Sequence, residues 1–296
     1  SKKENIVIFD NEYSSNHISI LKRKNAFNDL RIVKTNKYGS IDFEDLEKKI
    51  DLKTKVLHVT HIASQCGNEF PIDAIGKVLK RKNPNSIYFI DACQSAGQKE
   101  INVKKLRCDI LVASGRKYLM GPRGTAFLYV KSSLKKKLQS SILDMTSTRI
   151  KYTDNLVMNK NYRFLETFEH SPALKLGFSL AIRNTLNIGV KNINKRLIKL
   201  SKYLRLKLNE NNKIYFYENA NFLSGINTID FKGYSNNEVF NYLKKNKIYV
   251  NLTTSNVSYL YFKKIKKKEL LRVSFNYYNT KNEIDKFAIL VNNYVR

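Results

Sequence analysis

The chain has 296 residues, 42% of them hydrophobic and 27% charged, which fits a folded globular protein and excludes a disordered one. Lys and Arg number 54 against 25 Asp and Glu, a formal net charge of +29. Only 13 of the cations are Arg and 34 residues are Asn, so the surplus reads as compositional drift toward Lys and Asn. Nucleic acid is therefore not an expected partner. No apolar run approaches the ~20 residues of a membrane span, and Ser1 to Asn5 show no apolar signal core. Cys66, Cys93 and Cys108 form no CxxC and the four His are scattered, so neither a disulfide framework nor a metal site is implied. A reducing cytoplasm is the expected compartment.

The first 130 residues alternate strand and helix patterns. Ile6 to Phe9 predicts a buried strand, His17 to Asn25 a helix and Arg31 to Lys34 a second strand. Ser40 to Ile50 predicts an amphipathic helix with a capping-box-like start at Ser40. A strand follows at Lys55 to Thr60, then a helix at Asp73 to Lys82 opened by Pro71. Ile87 to Ile90, Ile110 to Ala113 and Ala126 to Val130 are strands. Short apolar runs separated by helices mark a parallel sheet covered on both faces, so the fold class is α/β.

Beyond Lys131 the texture changes. Lys131 to Leu138 reads as a basic, helix-like linker, and Leu143 to Arg163 is polar with little periodicity. Ser171 to Asn209 is helical with a turn near Asn187 to Gly189. From Lys213 strands and short helices alternate over Lys213–Tyr217, Gly225–Phe231, Glu238–Lys244, Ile248–Leu252 and Leu271–Phe275, and a last helix starts at Lys281. The expected organisation is a large domain over 1–150, a connecting helical region over 151–210 and a small α+β domain over 211–296.

The chemistry concentrates between Ile90 and Tyr129. Asp91-Ala-Cys-Gln94 ends one strand, Ser114-Gly-Arg-Lys117 follows the next, and Gly121-Pro-Arg-Gly124 comes shortly after. The carboxyl ends of parallel strands are where ligands bind, so Asp91 and Lys117 point toward one crevice. A plain ion pair would account for them alone. A Lys in a glycine-flanked turn, an adjacent Arg and a strand-end carboxylate also supply what pyridoxal 5′-phosphate (PLP) requires: an amine, a partner for the pyridine nitrogen and phosphate donors.

These segments resemble the class V aminotransferase family, PLP enzymes of fold type I. Asp91 to Gln94 is similar to the family's Asp-x-x-Gln strand end and Ser114 to Lys117 to its Ser-x-His-Lys segment, with Arg116 in place of the commoner His. The resemblance extends to Glu12-Tyr-Ser-Ser-Asn16, to His61-Ile-Ala-Ser-Gln-Cys-Gly67 and to Arg163–Glu169 and Arg272–Thr280. It implies a mostly parallel central sheet plus a smaller C-terminal domain, and a homodimer acting on a small amino acid. It implies Lys117 at the Schiff-base position, Asp91 under the ring nitrogen and Gln94 on the ring's O3′. Ser114 and Arg116 would bind the phosphate. His61 and Ser64 would stand beside the ring, with His61 equally readable as a hydrogen-bonded strand-end histidine. Arg272 would clamp the substrate carboxylate, and Asn16 is placed with it as substrate-binding.

The family's desulfurases carry a nucleophilic Cys on a loop shortly before the carboxylate-binding Arg. Asn251 to Leu271 contains none, which disfavours that activity. The short patterns look most like ergothioneine-pathway C–S lyases and isopenicillin-epimerase-like members, so β-elimination is expected first, with transamination or epimerisation as alternatives. The family also has an N-terminal segment with a phosphate-cradling turn, which Ser1 to Asn5 leaves no room for. A fragment, a second polypeptide or a degenerate form would each explain that, and an inactive or basic binding protein is the alternative from another class.

Overall fold

The computed structural model describes residues 4–23, 27, 29–36, 39–153, 155–159, 162–221 and 223–296. Its first half is built on a six-stranded sheet of order β2-β1-β3-β4-β5-β6. The strands are β1 (Asn5–Phe9), β2 (Asp29–Val33), β3 (Thr54–Thr60), β4 (Ile87–Asp91), β5 (Ile110–Ser114) and β6 (Ala126–Val130). The first five run parallel and β6 runs antiparallel to β5, so the sheet is mainly parallel as expected. Val7, Phe9, Leu57, Val59, Ile90 and Leu111 are fully buried or nearly so, and each contributes roughly 1.5–3 kcal/mol by leaving water.

The register fixes what the sheet presents. Thr60 lies beside Asp91, and Asp91 beside Val112, so β3, β4 and β5 end together. The segments leaving those ends, and the one leaving β1, carry Glu12, His61, Asp91 and Ser114. The helices between the strands are α1 (Ser14–Lys22), α2 (Phe43–Lys49) and α3 (Ile72–Lys82). Helix α1 starts three residues earlier than the periodicity predicts, and Asn25, at the end of the expected helix, lies outside the described residues. Helix α2 is capped by Asp42, whose side chain accepts from the Asp45 amide, and not by Ser40. The Ser40 hydroxyl instead accepts from Asn219 Nδ2 at 3.0 Å, a long-range contact that local pattern does not reveal.

The basic stretch after β6 is a 3-10 turn over Ser132–Lys137, and the aperiodic polar stretch contains a hairpin of β7 (Thr148–Lys151) and β8 (Asn155–Met158). Helices α4 (Pro172–Ile188) and α5 (Val190–Leu208) meet at Gly189, whose φ of +87° explains the glycine at the predicted turn. Ile193, Leu197, Leu200, Leu204 and Leu208 recur at helical spacing along α5 and bury one stripe.

That stripe packs on a four-stranded antiparallel sheet of order β11-β12-β10-β9. Its strands are β9 (Ile214–Phe216), β10 (Ile226–Phe231), β11 (Asn251–Thr254) and β12 (Glu269–Ser274). The other helices of this half are α6 (Asn236–Lys245), α7 (Tyr259–Ile265) and α8 (Lys281–Tyr294). A reciprocal capping box between Thr280 and Glu283 opens α8.

Of the Lys run at 263–268, which reads as a solvated face, Lys263, Lys266, Lys267 and Lys268 are exposed, whereas Lys264 in helix α7 is half-buried and its Nζ donates to Asp10 Oδ2 at 2.9 Å. Tyr261 and Phe262, in the same helix, are buried. Ser258 Oγ donates to Glu12 O at 2.8 Å and the Gly225 amide to Gln98 Oε1 at 3.0 Å. These contacts lock the second half of the chain over the strand ends of the first.

Gly97 is a close-approach position in this frame. Its φ is +95°, and a Cβ there would stand 2.5 Å from the Tyr118 carbonyl carbon. Gly97→Ala should therefore cost about 2–4 kcal/mol, from the left-handed backbone and the displaced 118–119 segment. Urea unfolding of both proteins measures it; a loss under about 0.5 kcal/mol would refute the close-approach account.

Candidate active site

A cavity of about 520 Å³ lies where the second half of the chain covers the strand ends. Ser64, Gln94, Arg116, Lys117 and Arg272 line it, so five of the site residues expected from sequence converge there. Lys117 follows β5, and Arg272 stands in β12 opposite Thr228 of β10 and Asn251 of β11. Asp91 lies beneath as the last residue of β4, 7% exposed.

Lys117 is mostly buried. Burial pushes its ammonium pKa down, the Arg116 and Arg272 charges add to that, and Cys93 and Asp91 oppose it. A lysine whose charge is disfavoured in this way is available as a neutral amine nucleophile or proton acceptor. The Tyr13 ring lies 6.0 Å from Lys117 Nζ and forms part of the wall.

Asp91 is held from two sides. Its Oδ1 accepts from the Cys93 amide at 2.8 Å and its Oδ2 from Asn16 Nδ2 at 2.9 Å. Asn16, expected as substrate-binding, here supports the Asp91 carboxylate and is not among the residues lining the cavity. The same Nδ2 donates to Glu12 Oε1 at 3.0 Å. Gln94 Nε2 donates to Ser64 Oγ at 2.9 Å, so Ser64 orients Gln94 at the cavity wall.

Besides Asp91 and Asn16, two more expected residues sit apart from the cavity lining. His61 is 4% exposed, with Nε2 3.7 Å from Glu69 Oε1 and its Nδ1 without a partner among the described residues. Ser114 lines a neighbouring cavity with Cys93, between β5 and β6. The Cys93 thiol touches the Asp91, Lys117 and Ser114 surroundings; burial and Asp91 push its pKa up. Burial also pushes Cys66 and Cys108 up to about 12. All three thiols are thus held in the neutral, weakly nucleophilic form.

Sequence reasoning missed several lining residues. Tyr118, 7% exposed, has an OH with no partner among the described residues, and Arg272 Nε is likewise buried and unpartnered. Asn251 and Thr253 line the cavity from β11; their alternate spacing is the one sequence signal that could have marked them. Tyr278 stands at the cavity with 61% of its surface exposed.

The residues fit PLP. A buried amine, a strand-end carboxylate, two guanidinium groups and unpartnered buried donors converge on one polar cleft. With the mainly parallel sheet and the small antiparallel sheet above it, they define a PLP-dependent enzyme of fold type I. The comparisons agree. The aminotransferase class-V family model matches residues 1–287, and the chain belongs to that family.

A probable cysteine desulfurase of Borreliella burgdorferi is 31% identical over 97% of this chain and 69% of that protein. The apo structure of a cysteine desulfurase from Thermococcus onnurineus NA1 superposes with a TM-score of 0.93 at 25% identity, covering 100% of this chain and 73% of that one. The cystine C–S lyase C-DES shares the fold, with a TM-score of 0.84 at 16% identity over 98% of this chain and 75% of that one. Another C-DES structure contains glycine covalently linked to its PLP cofactor. The Borreliella and Thermococcus proteins carry the desulfurase name that the sequence pattern disfavours.

A second buried network underlies Arg272. Glu218 is 3% exposed, lies 2.7 Å from Arg205 and accepts from the Thr228 amide and hydroxyl. Burial pushes its carboxyl pKa up to about 7, against the opposing pull of Arg205 and Thr228. The folded chain therefore binds this proton more tightly than the unfolded chain, whose carboxyl titrates near 4.5. The stabilisation is full below the unfolded value and is lost as pH rises toward about 7. Urea unfolding across that window should show stability falling with pH, and Glu218→Gln should flatten that segment. An unchanged slope in the variant would assign the titration elsewhere.

Proposed function

We propose that the chain cleaves the Cβ–S bond of a cysteine-class amino acid by β-elimination. One observation carries the reading: Lys117, Arg116 and Arg272 surround one cavity above Asp91, while the 251–271 segment beside it contains no cysteine. The named relatives support the substrate class. Cysteine desulfurases and the C–S lyase C-DES all act at a carbon–sulfur bond by name.

In this reading Arg272 takes the substrate carboxylate through its guanidinium, which offers a bidentate fork. Lys117 Nζ, kept deprotonation-prone by burial, takes the Cα proton. Asp91 would hold the ring nitrogen of PLP, and Gln94, set by Ser64, its ring oxygen. Arg116, in the cavity lining, would take the phosphate, with Ser114 reaching it from the neighbouring cavity; His61, outside the lining, is given no contact in this reading. PLP, when bound, supplies an electron sink that lowers the cost of removing that proton. The pair left at Cα forms the Cα–Cβ double bond as the Cβ–S pair leaves with sulfur as a sulfide or persulfide; one water then hydrolyses the released enamine, as its imine, to a keto acid and ammonia. A desulfurase outcome would instead need a thiolate that accepts the sulfur, and burial disfavours that form at Cys66, Cys93 and Cys108.

The same reading includes a homodimer. Phe127 and Leu128 on β6, Leu176 and Leu180 on α4, and Ile142, Leu143 and Met145 between them in sequence all expose large apolar side chains. Large apolar side chains left in water on these segments support a covering partner. Light scattering should give twice the 34.5 kDa chain mass; a monomer at micromolar concentration would exclude the dimer.

PLP added to the purified protein should produce an absorbance band near the visible edge that Lys117→Ala abolishes. With cysteine or cystine the products should be keto acid and ammonia, and Cys93→Ser should retain at least about a tenth of the rate. Alanine as the product, or complete loss in Cys93→Ser, would favour the desulfurase reading. Arg272→Ala should raise KM by roughly 10²-fold, the cost of a charge-assisted pair.

A further inference from the structure

Behind Asp91 lies a buried polar network to which neither the cavity nor the comparisons give a role. Glu12 leaves the end of β1, and its side chain is fully buried. Its Oε2 lies 2.8 Å from His58 Nδ1. Its Oε1 accepts from the Tyr13 amide at 2.9 Å, Thr60 Oγ1 at 2.7 Å and Asn16 Nδ2 at 3.0 Å. His58 stands in β3, with a 7% exposed side chain, and packs edge-on against Phe89 of β4. A carboxyl group that accepts this many donors is an ionised acceptor, and burying it requires a compensating charge.

Asn16 links this network to the site, since its single Nδ2 group donates to both Glu12 and Asp91. The amide has two hydrogens, and each carboxyl group takes one. The Asn16 side chain therefore has one orientation in which both are satisfied. Turning it would give each carboxyl group a carbonyl oxygen in place of a donor. Glu12 consequently fixes where Asn16 points, and Asn16 fixes the outer oxygen of Asp91.

His58 provides the charge that makes the arrangement affordable. Two carboxyl groups separated by one amide repel each other in a site from which water is largely excluded. Burial works against charging the imidazole, but the Glu12 charge, the Glu12 hydrogen bond and the Asp91 charge together push the His58 pKa up. The Glu12 carboxyl is pushed down despite burial, chiefly by the His58 charge and hydrogen bond. The two form a buried ion pair.

We propose that the Glu12–His58 pair, acting through Asn16, positions Asp91 against the cofactor's ring nitrogen. These three are positioning residues, acting on the ring only through Asp91. The inference rests on the assignment of Asp91, which its test checks separately. The titratable groups facing Asp91 are Cys93, Lys117 and His58, and those facing Glu12 are His17 and His58.

The test uses the PLP-loaded protein and the pH midpoint at which the absorbance of PLP bound at Lys117 changes. A negative charge near the ring favours the protonated form, so weakening it lowers the midpoint. Asn16→Ala and Glu12→Gln should each lower it by about one pH unit and weaken PLP binding about tenfold. Asp91→Asn should shift it in the same direction by at least as much. Thermal melts of each variant report folding, and Asn16→Ala, at a half-buried side chain, decides the matter if a core variant does not fold. Folded variants with the parent midpoint, beside a shifted Asp91→Asn, would overturn the positioning role while leaving the Asp91 assignment intact. An unshifted Asp91→Asn would overturn both.

Discussion

The structure depends on one buried carboxyl group at the end of a parallel strand. Asp91 takes the Cys93 amide on one oxygen and the Asn16 side chain on the other. Its own backbone carbonyl accepts from His61, which ties the neighbouring β3 loop to the same point. Burying an acidic group so deeply is costly unless each oxygen has a donor. The turns after β1, β3 and β4 are therefore constrained together, and the cavity is one consequence of that constraint.

The cavity's electrostatics differ from those of the whole chain. A net charge of +29 spreads over an exposed, Lys-rich surface and gives little chemical information. Inside the cleft three cations have separate consequences. Arg116 and Arg272 disfavour charge on Lys117, while Asp91 moderates them. The same arrangement that attracts anionic groups also makes the lysine a better nucleophile. This is the sense in which fold and chemistry are coupled here: cations on an open surface would be screened, whereas Lys117 and Arg272 are partly desolvated beside the exposed Arg116.

Membership of the class V family accounts for the cofactor and the shared first steps, and leaves the fate of the substrate to local chemistry. The relatives with the desulfurase name use the same fold over nearly all of this chain. The absence of cysteine between Asn251 and Leu271, together with three thiols held neutral, is what separates the elimination reading from theirs. Helix α7 fills that stretch instead, with Tyr261 and Phe262 anchored in the core.

Local pattern was enough to determine the alternating strands and helices up to Val130, the turn at Gly189 and the order of Asp91, Gln94, Ser114, Arg116, Lys117 and Arg272. Each of these signals lies within a short window: an apolar run, a glycine at positive φ, or a motif at a strand end. What only the tertiary structure decided are pairings across long separations. Asn16 reaches Asp91 over 75 residues, His58 reaches Glu12 over 46, and Ser40 gives up its expected cap to meet Asn219 over 179. Lys264, one letter in a basic run, is half-buried because Asp10 lies 254 residues away in the chain and 2.9 Å away in space. No periodicity encodes such partners; they follow from parallel strands that bring distant carboxyl ends to one edge, and from a second sheet packed over them.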